Sequence, residues 1–154
     1  MALDLNQLKM TPRNGAYVYM PNVPQPHNCI VSASQSTPIV AGTILTLDTA
    51  STNTSCPVVL AADVDDVIYG VIPYDALKNT YSAKDKVMAA VEGSTLYFVA
   101  DGAISLGDVL YFNSDYEVTA TATPGNSTVG IAQTAAADGG FVQVKLKFGT
   151  TEVE

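Results

Sequence analysis

The groups in this chain that could do chemistry are one histidine, two cysteines and a spread of carboxylates. His27 lies between Pro26 and Asn28, in a proline-rich stretch with no supporting motif around it. A Ser-His-Asp triad would have to use this residue, and a general base must be rigid and oriented. One histidine also makes no His-based metal cluster. The densest acidic run is "DVDD", where Asp63, Asp65 and Asp66 invite Ca²⁺. Counted from Asp63, the sixth and twelfth positions of an EF-hand loop hold Ile68 and Tyr74 instead of Gly and Glu, so that motif fails. A calcium loop of another kind and a solvated acidic turn both remain, the turn being the default. Carboxylate-pair hydrolysis needs two acids held in a cleft, commonly with aromatic platforms. Here Asp48, Asp101, Asp108, Asp115 and Asp138 all stand in turn contexts, and Trp is absent. Cys29 and Cys56 read as small buried hydrophobes, with a disulfide between them left open. "DGAISLGDVLYFN" raises a phosphate-cradling loop at Gly102 and Gly107, yet a strand pattern follows them. Phosphate cradling requires a helix N-terminus there. The glycines therefore bend strands, and no catalytic, cofactor-binding or metal residue is assigned.

The elements that would position any site are β-strands. The composition is 47% hydrophobic and 14% charged, with eight Tyr, and Val, Ile and Thr are spread along the chain. This favours one all-β domain with enough length to bury a core. Net charge is −8, and no Lys or Arg occurs between Asn14 and Leu77 or between Val87 and Val144. No basic stripe can be built, which argues against a nucleic-acid partner. "MALDLNQLKM" has neither a basic n-region nor an apolar h-region, and no run approaches the ~18 apolar residues of a membrane helix. Synthesis in a cytoplasm, with thiols reduced and no membrane partner, is the expectation.

Residues 1–38 carry Pro12, Pro21, Pro24, Pro26 and Pro38. That density disfavours helix and central strand and predicts an extended N-terminal arm. Tyr17, Val18, Tyr19 and Met20 are apolar enough to need a surface, either on the arm's own domain or on a partner subunit. Residues 39–154 then form a β-barrel or sandwich domain with a weak internal repeat. "IVAGTILTL", "YSAKDKVMA" and "ISLGDVLYF" align without gaps, each turning at Gly42, Lys84 or Gly107. "VIYGVIPYDA" aligns with "STVGIAQTAA", placing Gly70 and Gly130 inside β-rich runs, as a bulge or a close backbone approach would require. Final strands are expected near 91–100 and 139–148; in the second, Val142, Val144, Leu146 and Phe148 alternate with Gln143, Lys145 and Lys147, a period of two. "PYDALKN" (73–79) is the candidate helical turn.

The run "DDVIYGVIPYDALKNTYSAKDKVMAAVEGSTLYFVADGAISLGDVLYF", followed by "STVGIAQTAAADGGFVQVKL", resembles the decoration or cement proteins of tailed-phage heads over about residues 65–147. Lys84 departs from the glycine at the other copies of its turn, and residues 1–38 lie outside the resemblance. What it implies is a non-enzymatic virion protein on the outer surface of an icosahedral capsid. Its partner would be the major capsid protein, bound as a homotrimer across capsomer junctions, with no cofactor and no small-molecule substrate. Two other readings stand beside it. One is a head-fibre, carbohydrate- or receptor-binding module with an exposed aromatic patch at Tyr111, Phe112 and Tyr116. The other is a small β-barrel hydrolase, for which no convergent polar cleft can be assembled.

Overall fold

The structure, a computed structural model, describes residues 12–18 and 24–150. Among these residues there is no helix, and none long and apolar enough to cross a membrane. The all-β class is as expected. Twelve strands follow in order: β1 His27–Val31, β2 Ile39–Val40, β3 Ile44–Leu47, β4 Val58–Ala61, β5 Gly70–Val71, β6 Thr80–Tyr81, β7 Lys86–Ala89, β8 Thr95–Val99, β9 Val109–Phe112, β10 Val118–Thr119, β11 Ser127–Ala132 and β12 Phe141–Thr150.

Two five-stranded sheets account for ten of them, with orders β5-β3-β4-β1-β7 and β10-β9-β11-β12-β8. Each sheet curls until its edges nearly meet. A bridge between Val71 and Ala90 joins β5 to the end of β7, and one between Ala100 and Val118 joins the end of β8 to β10. The two rings have the same connectivity. Taking β1, β3, β4, β5 and β7 as equivalent to β8, β9, β10, β11 and β12 reproduces every neighbour relation, including the single parallel contact (β1 with β4, Ala100 with Val118). The β2–β6 pair, Ile39 opposite Tyr81, has its counterpart in the Ile104–Ala136 bridge. The chain is thus a tandem of two small barrels.

Turn chemistry repeats as well. In turns 40–43 and 105–108 the fourth residue donates its N–H to the first residue's carbonyl. The fourth residue's side chain, Thr43 or Asp108, accepts the first residue's N–H. Gly42 and Gly107 stand third with φ of 86° and 88°, the left-handed backbone a type II turn requires. Their N–H groups donate to Ile72 and Ala132, whose own N–H groups return to Thr43 and Asp108. Turn 82–85 follows the same plan: Lys84 takes φ of 69°, Asp85 accepts from the Ser82 N–H, and the turn docks on Val31. Its equivalent in the second barrel is turn 137–140, docked on Ala100 through Gly139.

Several expectations need correction. Residues from His27 on are not arm: β1 pairs with both β4 and β7, inside the first sheet. The proline constraint does not reach it, because "HNCIV" falls in the gap between Pro26 and Pro38 and contributes N–H groups to two neighbours. The first barrel's last strand is β7; the region 91–100 instead supplies β8, the first strand of the second barrel. Residues 73–79 form no helix. The Asp75 carboxylate accepts the Leu77 N–H at 2.8 Å, a local Asx turn that competes with helix initiation in so short a segment.

The larger core packs Leu96, Phe98, Leu110, Phe112, Val129 and Val144 inside the second barrel, and Ile44, Val71 and Ala90 join it from the first. A smaller cluster of Cys29, Val31, Leu45, Val59, Ile72 and Val87 fills the first barrel. Along β12, Val142, Val144 and Leu146 are buried as their alternation required, while Phe148 is only half-buried. At Gly130 a β-bulge breaks the register with both β9 and β12, and an added Cβ would stand 2.2 Å from the Lys145 carbonyl oxygen.

Candidate functional site

The residues singled out for chemistry scatter. His27 is exposed on β1, its Nδ1 3.4 Å from the Tyr69 hydroxyl. Cys29 and Cys56 are free thiols. Burial, reinforced by the nearby Cys56, pushes the Cys29 thiol up to about 11, so the nucleophilic thiolate is scarce at neutral pH. The "DVDD" acids staple their own turn: the Asp66 N–H donates to the Asp63 carbonyl and the Asp66 carboxylate accepts the Asp63 N–H at 2.9 Å. Among the described residues no group of His, Cys, Asp and Glu could hold a metal ion. The aromatic patch expected at Tyr111, Phe112 and Tyr116 is not exposed. Tyr111 and Phe112 are buried, and the half-buried Tyr116 stacks on Phe112 at 6.1 Å. Phe112 belongs to the larger core and Tyr116 packs against it.

What the fold does assemble is an arm laid along β8 with a groove beside it. The arm lies against the edge of β8 as an added strand: the Gly15 N–H donates to the Tyr97 carbonyl at 2.7 Å, the Tyr97 N–H to Ala16 at 2.8 Å, and the Val18 N–H to Thr95 at 2.8 Å. Gly15 is required there. Its φ is 75°, and an added Cβ would fall 2.6 Å from the Gly42 nitrogen and 2.8 Å from the Ile72 carbonyl oxygen. The Gly15 carbonyl accepts the Tyr74 N–H, and the Arg13 guanidinium both donates to the Tyr74 hydroxyl and lies over its ring. Tyr17 pairs with Leu96 and packs on the larger core. Of the arm residues expected to contact a partner, Tyr17 and Val18 are half-buried on their own chain, whereas Tyr19 and Met20 lie outside the described residues.

Beside Tyr17 opens a groove of about 1090 Å³. Its floor is the outer face of β1 and β7, where Asn28 stands opposite Met88 and Ile30 opposite Lys86. Its wall is the excursion from Pro73 to Lys78. Leu77, next to that wall, is 97% exposed, and Met88 is 48% exposed. The groove thus has large apolar side chains in water along its floor and beside its wall. Sequence reasoning missed this face. The one signal was "KVMA", where Val87 and Ala89 turn inward and leave Met88 apolar on the outside.

The chain matches no protein-family profile and no curated protein. Among solved structures its fold is similar to the head fiber gp8.5 N base in bacteriophage phi29, with a TM-score of 0.54 and 16% sequence identity, over 84% of this chain and 97% of that one.

Proposed function

We propose that this chain is a non-enzymatic structural protein of a phage head, seated on the outer surface of the icosahedral shell and stabilising it. The observation that carries this reading is the likeness in fold, over 84% of this chain and 97% of the other, to the head fiber gp8.5 N base of bacteriophage phi29. The exposed apolar groove and the two-barrel frame are consistent with it, since they offer contact area rather than a polar cleft.

The mechanism is mass action. A protein that binds the assembled shell and not its separated subunits stabilises the shell by about 2.7 kcal/mol when present at a hundred times its dissociation constant. Association as a trimer at a three-fold site would multiply weak contacts through effective concentration. Native mass measurement of the purified protein checks the trimer.

A second reading is favoured by the same likeness: a base on which a fibre stands, bound to the head without strengthening it. Capsid melting separates the two. Undecorated capsids are heated alone, with the full chain, and with a chain lacking residues 1–23, a cut that spares β1. A rise in melting temperature with the full chain supports the stabilising role. Binding with unchanged melting supports the fibre base. Absence of binding overturns both.

A further inference from the structure

We propose that the edge of β1 at Pro26 and Asn28 is a strand-addition site, taking an extended segment of another protein chain that carries an acidic side chain.

The argument starts from the duplication. Val31 is equivalent to Ala100, because each receives the turn that precedes the last strand of its barrel, Lys84–Asp85 or Gly139–Gly140. Counting back, Asn28 is equivalent to Tyr97 and Pro26 to Thr95. In the second barrel those positions form the edge that the arm covers, through the Tyr97 N–H and carbonyl and the Thr95 carbonyl. The first barrel presents the same three groups. The Val31 N–H reaches Asp85, on the β7 side, while the Ile30 N–H reaches Pro57 in the opposite direction. Strand alternation then points the Asn28 N–H and carbonyl away from β7.

No strand lies there among the described residues. The Asn28 carbonyl meets the Cys56 thiol at 3.5 Å, a weak donor that a backbone N–H displaces. The edge is flanked by open space on both sides. One side is the groove under Met88; the other is a hollow of about 400 Å³ lined by Gln25, Pro26, His27, Asn28, Pro57 and Tyr69. Strands with unpaired N–H and carbonyl rows are templates for another chain.

The chemistry of the occupant is set by the groove. Lys86 lies on the same outer face and has no hydrogen bond or ion pair among the described residues, whereas Lys78 is held by Asp85 at 3.0 Å. An added strand would run about 9–10 Å from the β7 backbone, two strand spacings away, within the joint reach of a Glu and a Lys side chain. An acidic residue on the groove face would therefore meet a free cation. The Tyr17 hydroxyl is buried on this groove without a hydrogen-bond partner and can donate to the incoming segment. The inference goes beyond the phage-head reading and does not depend on it.

The test uses hydrogen exchange of the full chain with two synthetic peptides at ~1 mM, enough to fill weak sites. One has the sequence of residues 12–18, which already fits the equivalent edge; the other has Glu in place of Arg13. In the free protein the Asn28 amide should exchange at least tenfold faster than that of Tyr97. The Glu peptide should slow Asn28 at least tenfold, the Arg peptide less, and neither should alter Tyr97. Asn28→Pro should abolish peptide binding while Tyr97 stays protected, which shows the fold intact. Lys86→Glu should remove the preference for the Glu peptide. The proposal is overturned if Asn28 is already as slow as Tyr97, if neither peptide slows it, or if Tyr97 exchange rises as the arm is displaced.

Discussion

At the scale of single residues, Lys84 shows how the duplicated turn tolerates imperfection. It holds φ of 69° where Gly42, Gly107 and Gly139 stand in the other turns. A left-handed backbone costs an L-residue roughly 1–2 kcal/mol, and glycine returns about 0.5–1 kcal/mol of this as chain entropy. Lys84→Gly should therefore stabilise the protein by about 0.5–1 kcal/mol in urea unfolding, and Gly107→Ala, with open space around the new Cβ, should destabilise it by about 1 kcal/mol. One step along, hydrogen bonds from the Ser82 N–H and then Lys78 hold the Asp85 carboxyl below its ordinary 3.8. The unfolded chain binds that proton more readily. The contribution of Asp85 is thus complete above pH 3.8 and is lost as pH falls through its lowered value. Acid unfolding of Asp85→Asn should show a shallower pH slope below 3.8 than the parent. This turn was legible in the sequence because its chemistry is local: a residue free to take positive φ, then a Thr or Asp to staple the first N–H. The burial of Tyr111 and Phe112 was not. In "VLYF" nothing marks which face meets the core, and an exposed patch here was the expectation of the head-fibre or carbohydrate-binding alternative alone.

At the scale of elements, the arm is tied by backbone bonds to β8 and by Tyr74 to the excursion after β5. Gly15→Ala should lift it, since two backbone atoms lie under 3.0 Å from the new Cβ. The amide of Tyr97 should then exchange at least tenfold faster while Phe98, bonded on the β12 side, keeps its protection. Equal exchange at Tyr97 in both proteins would show that the arm does not hold that edge. Elements with a sequence period were placed well: β12 from its alternation, β11 and its bulge from Gly130. β1 was missed because a proline-dense neighbourhood masked five residues whose strand character comes from pairing with β4 and β7. Such pairing is set by partners distant in sequence, and propensity does not record it. The same holds for residues 73–79, where a helix-like composition yields to an Asx turn.

At the scale of the whole molecule, the two barrels are one cooperative body. Ile44, Val71 and Ala90 of the first are packed into the core of the second. Calorimetry should show a single transition, and Ile44→Ala, costing about 2–5 kcal/mol, should lower all of it rather than split it; two separate transitions would mean independent barrels. The internal repeat was visible as matched turns and matched glycines, but its boundary was not, because the first strand of each barrel carries no turn of that kind. The groove was hidden for a related reason: it is formed by the outer face of β1 and β7 and by a loop from elsewhere in the chain. The claim on which the functional account rests is that this protein recognises an assembled phage shell from outside. Co-sedimentation with intact, undecorated heads, set against the same coat protein dispersed into subunits, tests it most directly. The account predicts that the chain pellets with the heads at saturable stoichiometry and ignores the subunits. A chain that stays in the supernatant with intact heads would contradict it.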